Sequence, residues 1–351
     1  MLPQQQKKKR SLLSFINATG YNISSHVYNT VVKSKFTQFN YNFLYYVQEV
    51  HYTGEPQMNT SIRKHLSTLF RVTYRNGFSY HLPHCSLTTD AGWGCTLRSI
   101  QMLFLNSLVR LQEAPPPIPN GKNTEEIHDF IKNHLNVKTM AERREYVQLI
   151  EDSPNREAVL SLHKMFDVEV IRRNNQKGTK YLSPSTCATA LSVLVELWEN
   201  RPCHVLFSPH FPINIQPNTI LMVSAPLTEK TINCLDSHFV GGVVCGVDSK
   251  AICVIGHSGN MLLLLDPHHV QKAHDDGNFD INDYSVRNKD VKMVGLTEIA
   301  HGNCIWGLIV RENNIEALRE WCKRELGISS EDEVRDMVSC GDDNGFEILE
   351  F

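Results

Sequence analysis

The sequence predicts an α+β fold in which helical segments come first and strands follow. Helical patterns lie mainly between residues 95 and 198, and strand-like apolar runs lie mainly between residues 205 and 310. The two kinds of element do not alternate, as they would around a parallel sheet. Tight connections between successive strands, such as Asp248-Ser249-Lys250, predict an antiparallel meander. We therefore expect a helical part packed on an antiparallel sheet.

The composition excludes several classes of protein. Hydrophobic residues make up 41% and charged residues 21% of the 351 positions, as in ordinary globular proteins with a substantial core. The net charge of -3 predicts no general attraction to nucleic acid or to anionic membranes. No apolar run approaches the roughly 18 residues that a transmembrane helix needs.

The ten cysteines are scattered without a Cys-x-x-Cys pair, and no leading signal peptide is visible. We expect reduced, mostly structural thiols in a cytoplasmic protein. A metal site would have to draw on the loop residues His81, His84 and Cys85 together with Cys203 and His204. These residues lack the spacing of a tetrahedral site, so neither a metal nor another cofactor is expected.

Both ends of the chain are interpreted as tails around one domain at residues 26–327. Residues 1–25 are basic, from Lys7 to Arg10, and are expected to be disordered. An organelle transit peptide is the alternative, although such peptides favour arginine over lysine. Residues 328–351 are predicted to form a mobile acidic tail.

The first long helix is predicted to begin near Cys95, after an aperiodic loop at residues 78–92. Its apolar residues recur at intervals of three and four, which predicts a buried amphipathic helix; they are Leu97, Ile100, Phe104, Leu108 and Leu111. Upstream, residues 62–74 also have helix-like spacing. Shorter helical patterns follow between Thr124 and Asp167.

Another helix is predicted at Ser183, with Ser183 as N-cap and Pro184 in the first turn. Its apolar face would comprise Leu191, Leu194, Leu197 and Trp198. The strands are predicted at 205–207, 220–223, 240–247, 251–255, 261–265, 292–294 and 305–310, and a last helix at 314–324.

Cys95 has the surroundings of a catalytic nucleophile. Gly92 and Gly94 let the chain bend tightly just before the helix. A helix N-terminus stabilises a thiolate, and its free N–H groups can form an oxyanion hole. The alternative is a buried structural cysteine.

Asp266 and His268 follow the apolar strand at residues 261–265 and complete a triad. Because they are two residues apart in an extended segment, their side chains can point to the same side. Asp266 can then bond one imidazole nitrogen and leave the other free to accept the thiol proton. The alternative is that Asp266 and His268 are ordinary solvent-exposed residues at the end of a strand. His269 is a rival base, but as the next residue it should face the other way.

These motifs resemble those of the autophagins, the cysteine proteases that process the ubiquitin-like modifier of autophagy. Asp90 to Ser99, reading DAGWGCTLRS, is similar to the family's nucleophile motif, and Leu265 to His268 is similar to its Asp-Pro-His motif. Thr73 to Arg75 resembles the segment that carries an oxyanion tyrosine. Ser183 to Thr186 and the pair Gly241-Gly242 also match. The segment 112–182 is hard to match.

The resemblance implies a papain-like fold, with a small helical insertion within residues 113–182 that helps hold the substrate. It implies a catalytic set of Cys95, His268, Asp266 and Tyr74, with no cofactor. The expected reaction is cleavage of the modifier after a glycine, and its release from phosphatidylethanolamine during transient contact with a membrane. Trp93 is a candidate wall of a glycine-selective channel, with a core position as the alternative.

The C-terminal tail carries a candidate docking motif, in which Phe346 and Leu349 follow acidic residues. Such a peptide can add a strand to a ubiquitin-like sheet and place these two side chains in pockets; an inert tail is the alternative. Two other functions stay open: a related cysteine hydrolase acting on ubiquitin or another small modifier, and a catalytically inactive modifier-binding protein.

Overall fold

A computed structural model describes residues 37–38, 45–47, 50–52, 62–63, 65–113, 143–155, 157–175, 181–247, 250–274, 279–299 and 303–334. The predicted basic tail and the docking motif at Phe346 and Leu349 lie outside these residues. Among the described helices, none has both the length and the apolar character needed to cross a membrane.

The elements follow the predicted order, with the long helix ahead of the main strands. The described helices are α1 (Cys95–Glu113), α2 (Arg144–Gln148), α3 (Leu162–Asp167), α4 (Glu169–Asn174), α5 (Pro184–Glu196) and α6 (Ile315–Trp321), which continues as a π-helical turn at Cys322–Leu326. The described strands are β1 (Thr37–Gln38), β2 (Tyr45–Val47), β3 (Val50–Tyr52), β4 (Tyr74–Asn76), β5 (His204–Ser208), β6 (Thr219–Pro226), β7 (Val240–Val247), β8 (Lys250–Ser258), β9 (Met261–Leu265), β10 (Val270–Lys272), β11 (Val291–Gly295) and β12 (Asn303–Val310).

One large sheet has the order β1-β11-β9-β8-β7-β12-β6-β5, and the β2–β3 hairpin joins it at β8. The predicted antiparallel meander is confirmed in β7, β8 and β9. The sheet is mostly antiparallel as predicted, with one parallel pair, β5 and β6, at its edge. The connecting residues 209–218 return the chain to the starting end of β5, and this return makes the pair parallel.

Helix α1 packs across β7, β8 and β12, and glycines in the strands allow an unusually close approach. A Cβ atom at Gly241 would lie 2.9 Å from Cβ of Ser107, and one at Gly307 would lie 2.8 Å from Cδ1 of Leu103. Real Cβ atoms do not lie at these distances from other carbon atoms, so both strand positions require glycine. The glycines therefore set the depth at which the helix, and Cys95 at its start, lies on the sheet.

The predicted apolar stripe of α1 is buried, but so is most of its polar face. Arg98, Gln101 and Asn106 are all within the interior. Asn106 is satisfied there by Phe70, whose backbone N–H donates to Oδ1 at 2.8 Å and whose carbonyl accepts from Nδ2 at 3.0 Å. The chain leading into β4 thus covers the side of α1 that faces away from the sheet, and α1 becomes a central helix.

Helix α5 begins as predicted, since the hydroxyl of Ser183 caps the N–H of Thr186 at 3.1 Å and Pro184 occupies the first position. The placement of Leu197 on its apolar face is wrong. Leu197 is the C-cap residue and is 74% exposed, because a residue six positions after Leu191 lies about 120° away from it around the helix axis.

Two further expectations need correction. Residues 62–74 do not form one helix: only 62–63 and 65–66 are helical among those described, and Tyr74 begins β4. Pairing with β10 holds Tyr74 in the extended form. Between 113 and 182, the described helices α2 and α3 lie within the predicted range 124–167, whereas α4 lies beyond it. The boundaries of an insertion stay a prediction.

Substitution of Gly241 by alanine should lower the free energy of unfolding by about 1–3 kcal/mol, because the new Cβ overpacks against Ser107. Chemical denaturation monitored by tryptophan fluorescence measures this change. Gly295→Ala is the matched control, since its Cβ would meet only Oγ1 of Thr297 at 3.6 Å. Equal stability of the two variants would contradict the close contact between α1 and the sheet.

Candidate active site

The fold brings the predicted nucleophile, base, acid and tyrosine together from three parts of the chain. Cys95 is the first residue of α1, Asp266 and His268 follow β9 directly, and Tyr74 begins β4. The backbone N–H of Tyr74 donates to the carbonyl of Pro267 at 3.0 Å. The tyrosine is thereby tied to the segment that carries the other two side chains.

His268 is oriented by Asp266 through two hydrogen bonds. Nδ1 of the imidazole lies 2.6 Å from Oδ1 of Asp266, and the backbone N–H of His268 donates to the same oxygen at 3.0 Å. Because Nδ1 is bound to the carboxylate, Nε2 is the nitrogen available to Cys95. The predicted placement of both side chains on one side of the segment is confirmed.

Cys95 is hydrogen bonded to the side chains of His268 and Tyr74. The rings of Tyr74 and His268 meet edge to face, with centroids 5.3 Å apart. Cys95 and Tyr74 are each 1% exposed, so the sulfur lies beneath the surface. The tyrosine hydroxyl is close enough to the nucleophile to contact a group that reacts there.

The electrostatics favour a thiolate and an imidazolium. Burial raises the pKa of the Cys95 thiol, but the hydrogen bond and the positive charge of His268 outweigh it, and the pKa is lowered. Burial lowers the pKa of His268, but the Asp266 carboxylate raises it to about 9. Burial raises the pKa of Asp266, but His268 and then Arg71 reduce it to about 2. These shifts favour an ion pair of thiolate and imidazolium, the form in which a cysteine sulfur is nucleophilic.

His269, the rival base, lies in a different environment. It is half-buried among Arg71, Asp290 and Arg287, and burial followed by the charge of Arg71 lowers its pKa. The charged groups that act most strongly on His269 are Arg71, Asp290, Arg287 and Lys289, and Cys95 is not among them. The expectation that His269 faces away from the site agrees with these neighbours.

Two contributors to the site were missed at the sequence level. The backbone N–H of Ala251, in β8, bonds to the Cys95 sulfur and helps to lower its pKa. Arg71 donates to the carbonyl of Asp266 at 3.3 Å and pairs with Asp290 at 3.4 Å. Arg71, three residues before Tyr74, was visible in the sequence as a charged residue near the candidate site. The sequence gives no sign of which backbone N–H will bond to Cys95.

Trp93 lies in the core beside the nucleophile and is 2% exposed. Its indole N–H donates to the carbonyl of Thr89 at 3.2 Å, and its ring packs on Phe166 of α3 at 5.4 Å between centroids. This position joins the loop before Cys95 to the short helices. It matches the alternative of a core tryptophan, and the channel wall stays a prediction.

Two of the residues considered for a metal site bind different partners in the structure. His84 pairs with Asp167 at 2.8 Å, while His204 faces Glu196 at 3.4 Å, at the other end of the helical part. Within the described residues, no group of three or more His, Cys, Asp or Glu side chains could hold a metal ion.

The fold and this arrangement are matched by a known family. A family model for the peptidase C54 catalytic domain matches residues 59–219 and 220–324. The chain belongs to the peptidase C54 family. This membership confirms the resemblance to the autophagins and the papain-like α+β fold.

Curated relatives agree with the family. The cysteine protease ATG4 of Kluyveromyces marxianus is 26% identical over 212 residues, which cover 54% of this chain and 43% of the relative. The probable cysteine protease ATG4 of Candida glabrata is 24% identical over 210 residues, covering 53% and 39%. That of Pichia angusta is 25% identical over 209 residues, covering 53% and 37%. The matched part thus spans less than half the length of each relative.

Replacement of Asp266 by asparagine should narrow the pH range in which Cys95 is a thiolate and His268 is an imidazolium, at both its acid and its alkaline limit. Without the carboxylate, the pKa of His268 falls from about 9 toward roughly 6.5, and the thiolate of Cys95 forms at higher pH. Nuclear magnetic resonance titration of His268 and the pH dependence of Cys95 alkylation measure the two limits. His269→Gln is the control and should leave both unchanged. If both pH limits were the same in Asp266→Asn as in the native chain, the role of Asp266 in stabilising the ion pair would be contradicted.

Proposed function

We propose that this chain is a cysteine protease of autophagy, which cleaves the C-terminal extension of a ubiquitin-like modifier after a glycine. We further propose that it releases the same modifier from phosphatidylethanolamine. The observation that carries the proposal is the hydrogen-bonded set of Cys95, His268 and Asp266 in a chain of the peptidase C54 family. Complete catalytic groups favour an enzyme over an inactive binding protein.

In the first half of the reaction, the Cys95 thiolate attacks the carbonyl carbon of the glycine. The developing oxyanion accepts hydrogen bonds from the hydroxyl of Tyr74 and from the backbone N–H of Cys95 at the start of α1. The imidazolium of His268 donates its Nε2 proton to the leaving amine as the C–N bond breaks. A thioester between Cys95 and the modifier remains.

In the second half, water replaces the amine. Neutral His268 accepts a proton from water through Nε2, and the resulting hydroxide attacks the thioester carbon. The C–S bond breaks, the modifier leaves with a free glycine carboxylate, and the thiolate and imidazolium are restored. Asp266 stabilises the imidazolium in both halves and keeps Nε2 directed at the sulfur.

The packing around Cys95 supports a preference for glycine. The sulfur-bearing residue is packed with Tyr74, Ala251 and Val270, with Ala91 at the edge. Since Cys95 is 1% exposed, these neighbours must separate for a substrate to reach it, and a residue without a side chain demands the smallest separation. Peptide-linked and lipid-linked modifiers present the same amide to glycine, so one site serves both.

Substrate docking is assigned to two other parts of the chain. The short helices α2 to α4 pack beside the nucleophile loop through the contact of Phe166 with Trp93, and we propose that this region helps to hold the modifier. Phe346 and Leu349 in the acidic tail are proposed to add a strand to the modifier's sheet. The enzyme would act in the cytoplasm and meet membranes only through its lipid-linked substrate.

The native chain should remove the extension of an autophagy modifier after its glycine, and Cys95→Ala should abolish this cleavage because no nucleophile remains. Mass spectrometry of the product identifies the bond. Cys85→Ala, which removes a thiol outside the site, is the control and should cleave normally. Binding without cleavage by the native chain would favour an inactive binding protein. Cleavage of ubiquitin or of another modifier instead would favour the related hydrolase.

The double variant Phe346→Ala, Leu349→Ala should bind the modifier about tenfold more weakly, while cleavage at saturating substrate is unchanged. The tail residues supply affinity and do not touch the reacting atoms. Calorimetry and cleavage kinetics separate the two effects, with Ile348→Ala as the matched control that leaves both pocket residues intact. Equal affinity of the native chain and the double variant would rule out docking through the tail.

A further inference from the structure

Behind the catalytic residues lies a cluster of four charged side chains that are completely buried. Arg75, Asp90, Arg98 and Asp152 are each 0% exposed. Two are positive and two are negative, so the cluster is balanced when all are ionised. We call these four residues the buried charge cluster. None of them contacts the sulfur of Cys95 directly in the bonds described above.

Two of the three catalytic elements contribute a side chain to this cluster. Arg75 is adjacent to Tyr74 in β4, and Arg98 lies one helical turn after Cys95 in α1. Asp90 joins these two elements: its Oδ1 accepts from the backbone N–H of Arg75 at 2.6 Å, and its Oδ2 accepts from Nε of Arg98 at 2.7 Å. Gly94 must lack a side chain because a Cβ there would lie 2.7 Å from Cβ of Asp90.

Asp152, in the segment after α2, joins all three catalytic elements. Its Oδ1 accepts from Nη2 of Arg98 at 2.9 Å, and its Oδ2 lies 3.4 Å from Nε of Arg75. Oδ2 also accepts from the backbone N–H of His274 at 3.1 Å, and the N–H of Asp152 donates back to the carbonyl of His274 at 3.1 Å. His274 follows β10, the strand that begins two residues after His268.

The free-energy cost of burying four charged side chains indicates that the cluster has a role other than stabilising the fold. A buried ion pair contributes little more to stability than apolar side chains of similar size, because desolvation offsets the attraction. Its hydrogen bonds are directional, however, and the bonds that Asp90 and Asp152 make with Arg98 hold these three side chains in one arrangement. Burial lowers the pKa of Arg98, but Asp90 and then Asp152 raise it above its ordinary value, so this arginine stays charged.

We propose that Asp152 is a positioning residue of the active site, which sets Tyr74, Cys95 and His268 at their working distances by holding the elements that carry them. The carboxylate acts through Arg75, Arg98 and His274 and does not touch substrate. The role in turnover rests on the proposed function, whereas the role in the ionisation of Cys95 does not.

Asp152→Asn should misplace the catalytic groups, because the amide nitrogen cannot accept the bonds that one carboxylate oxygen accepts. A displacement near 1 Å costs about 10²-fold in rate. We expect kcat for modifier cleavage to fall by about 10²-fold, with KM changed less than about threefold, and the thiolate of Cys95 to form at higher pH. Asp152→Glu keeps the charge and should show an intermediate loss.

The test is the pH dependence of Cys95 alkylation by iodoacetamide, followed for the Cys95 peptide by mass spectrometry, together with thermal unfolding. Asp236→Asn is the matched control: it removes the acid that pairs with buried His257 at 2.9 Å, away from the site. We expect both variants to unfold at lower temperature and only Asp152→Asn to shift the alkylation profile. An unshifted profile in a destabilised Asp152→Asn protein would assign Asp152 a structural role and overturn the proposal.

Failure of this proposal is distinguishable from failure of the proposed function. If Asp152→Asn does not fold, Asp152→Glu decides, since a native alkylation profile in that variant would overturn the positioning role. If the native chain cleaves no autophagy modifier but the profile shifts in Asp152→Asn, the positioning role stands and the substrate assignment fails.

Discussion

The close contact between helix α1 and the sheet is the constraint on which the active site depends. Cys95 begins the helix, whereas His268 follows a strand of the sheet, so their separation is set by how deeply the helix lies. At Gly241 and Gly307 the strands have no side chain where the helix passes over them. A methyl group at Gly241 would come within 3.0 Å of the backbone Cα of Ser107, so the helix could not lie as close to the sheet. Packing at the centre of the molecule thereby controls chemistry at one end of the helix.

Burial has opposite consequences for the separate groups and for the assembled site. A lone thiol or a lone imidazole would lose its charged form in the interior, because desolvation penalises charge. Together with Asp266, Cys95 and His268 favour each other's charged form, since each group lies beside an opposite charge. The same low dielectric that penalises a lone charge strengthens their mutual attraction. The site can therefore be both hidden from solvent and reactive.

The segment between α1 and α5 is more than a surface addition to this architecture. Through Phe166 it contacts Trp93 in the loop before the nucleophile, and through Asp152 it reaches the three catalytic elements. This segment lies within residues 59–219, which the family model matches, and it packs against the loop before the nucleophile.

The sequence by itself determined the order of elements, the strands β7 to β9, the capped start of α5 and the choice of Cys95, Asp266 and His268 as side chains that would meet. These features are encoded locally, by periodicity, capping chemistry and two short motifs. Only the tertiary structure decided that Tyr74 lies in a strand, that Arg98 is paired with Asp152, and that β5 runs parallel to β6. Each of these depends on partners distant along the chain, and no local pattern encodes which distant residue will supply the hydrogen bond.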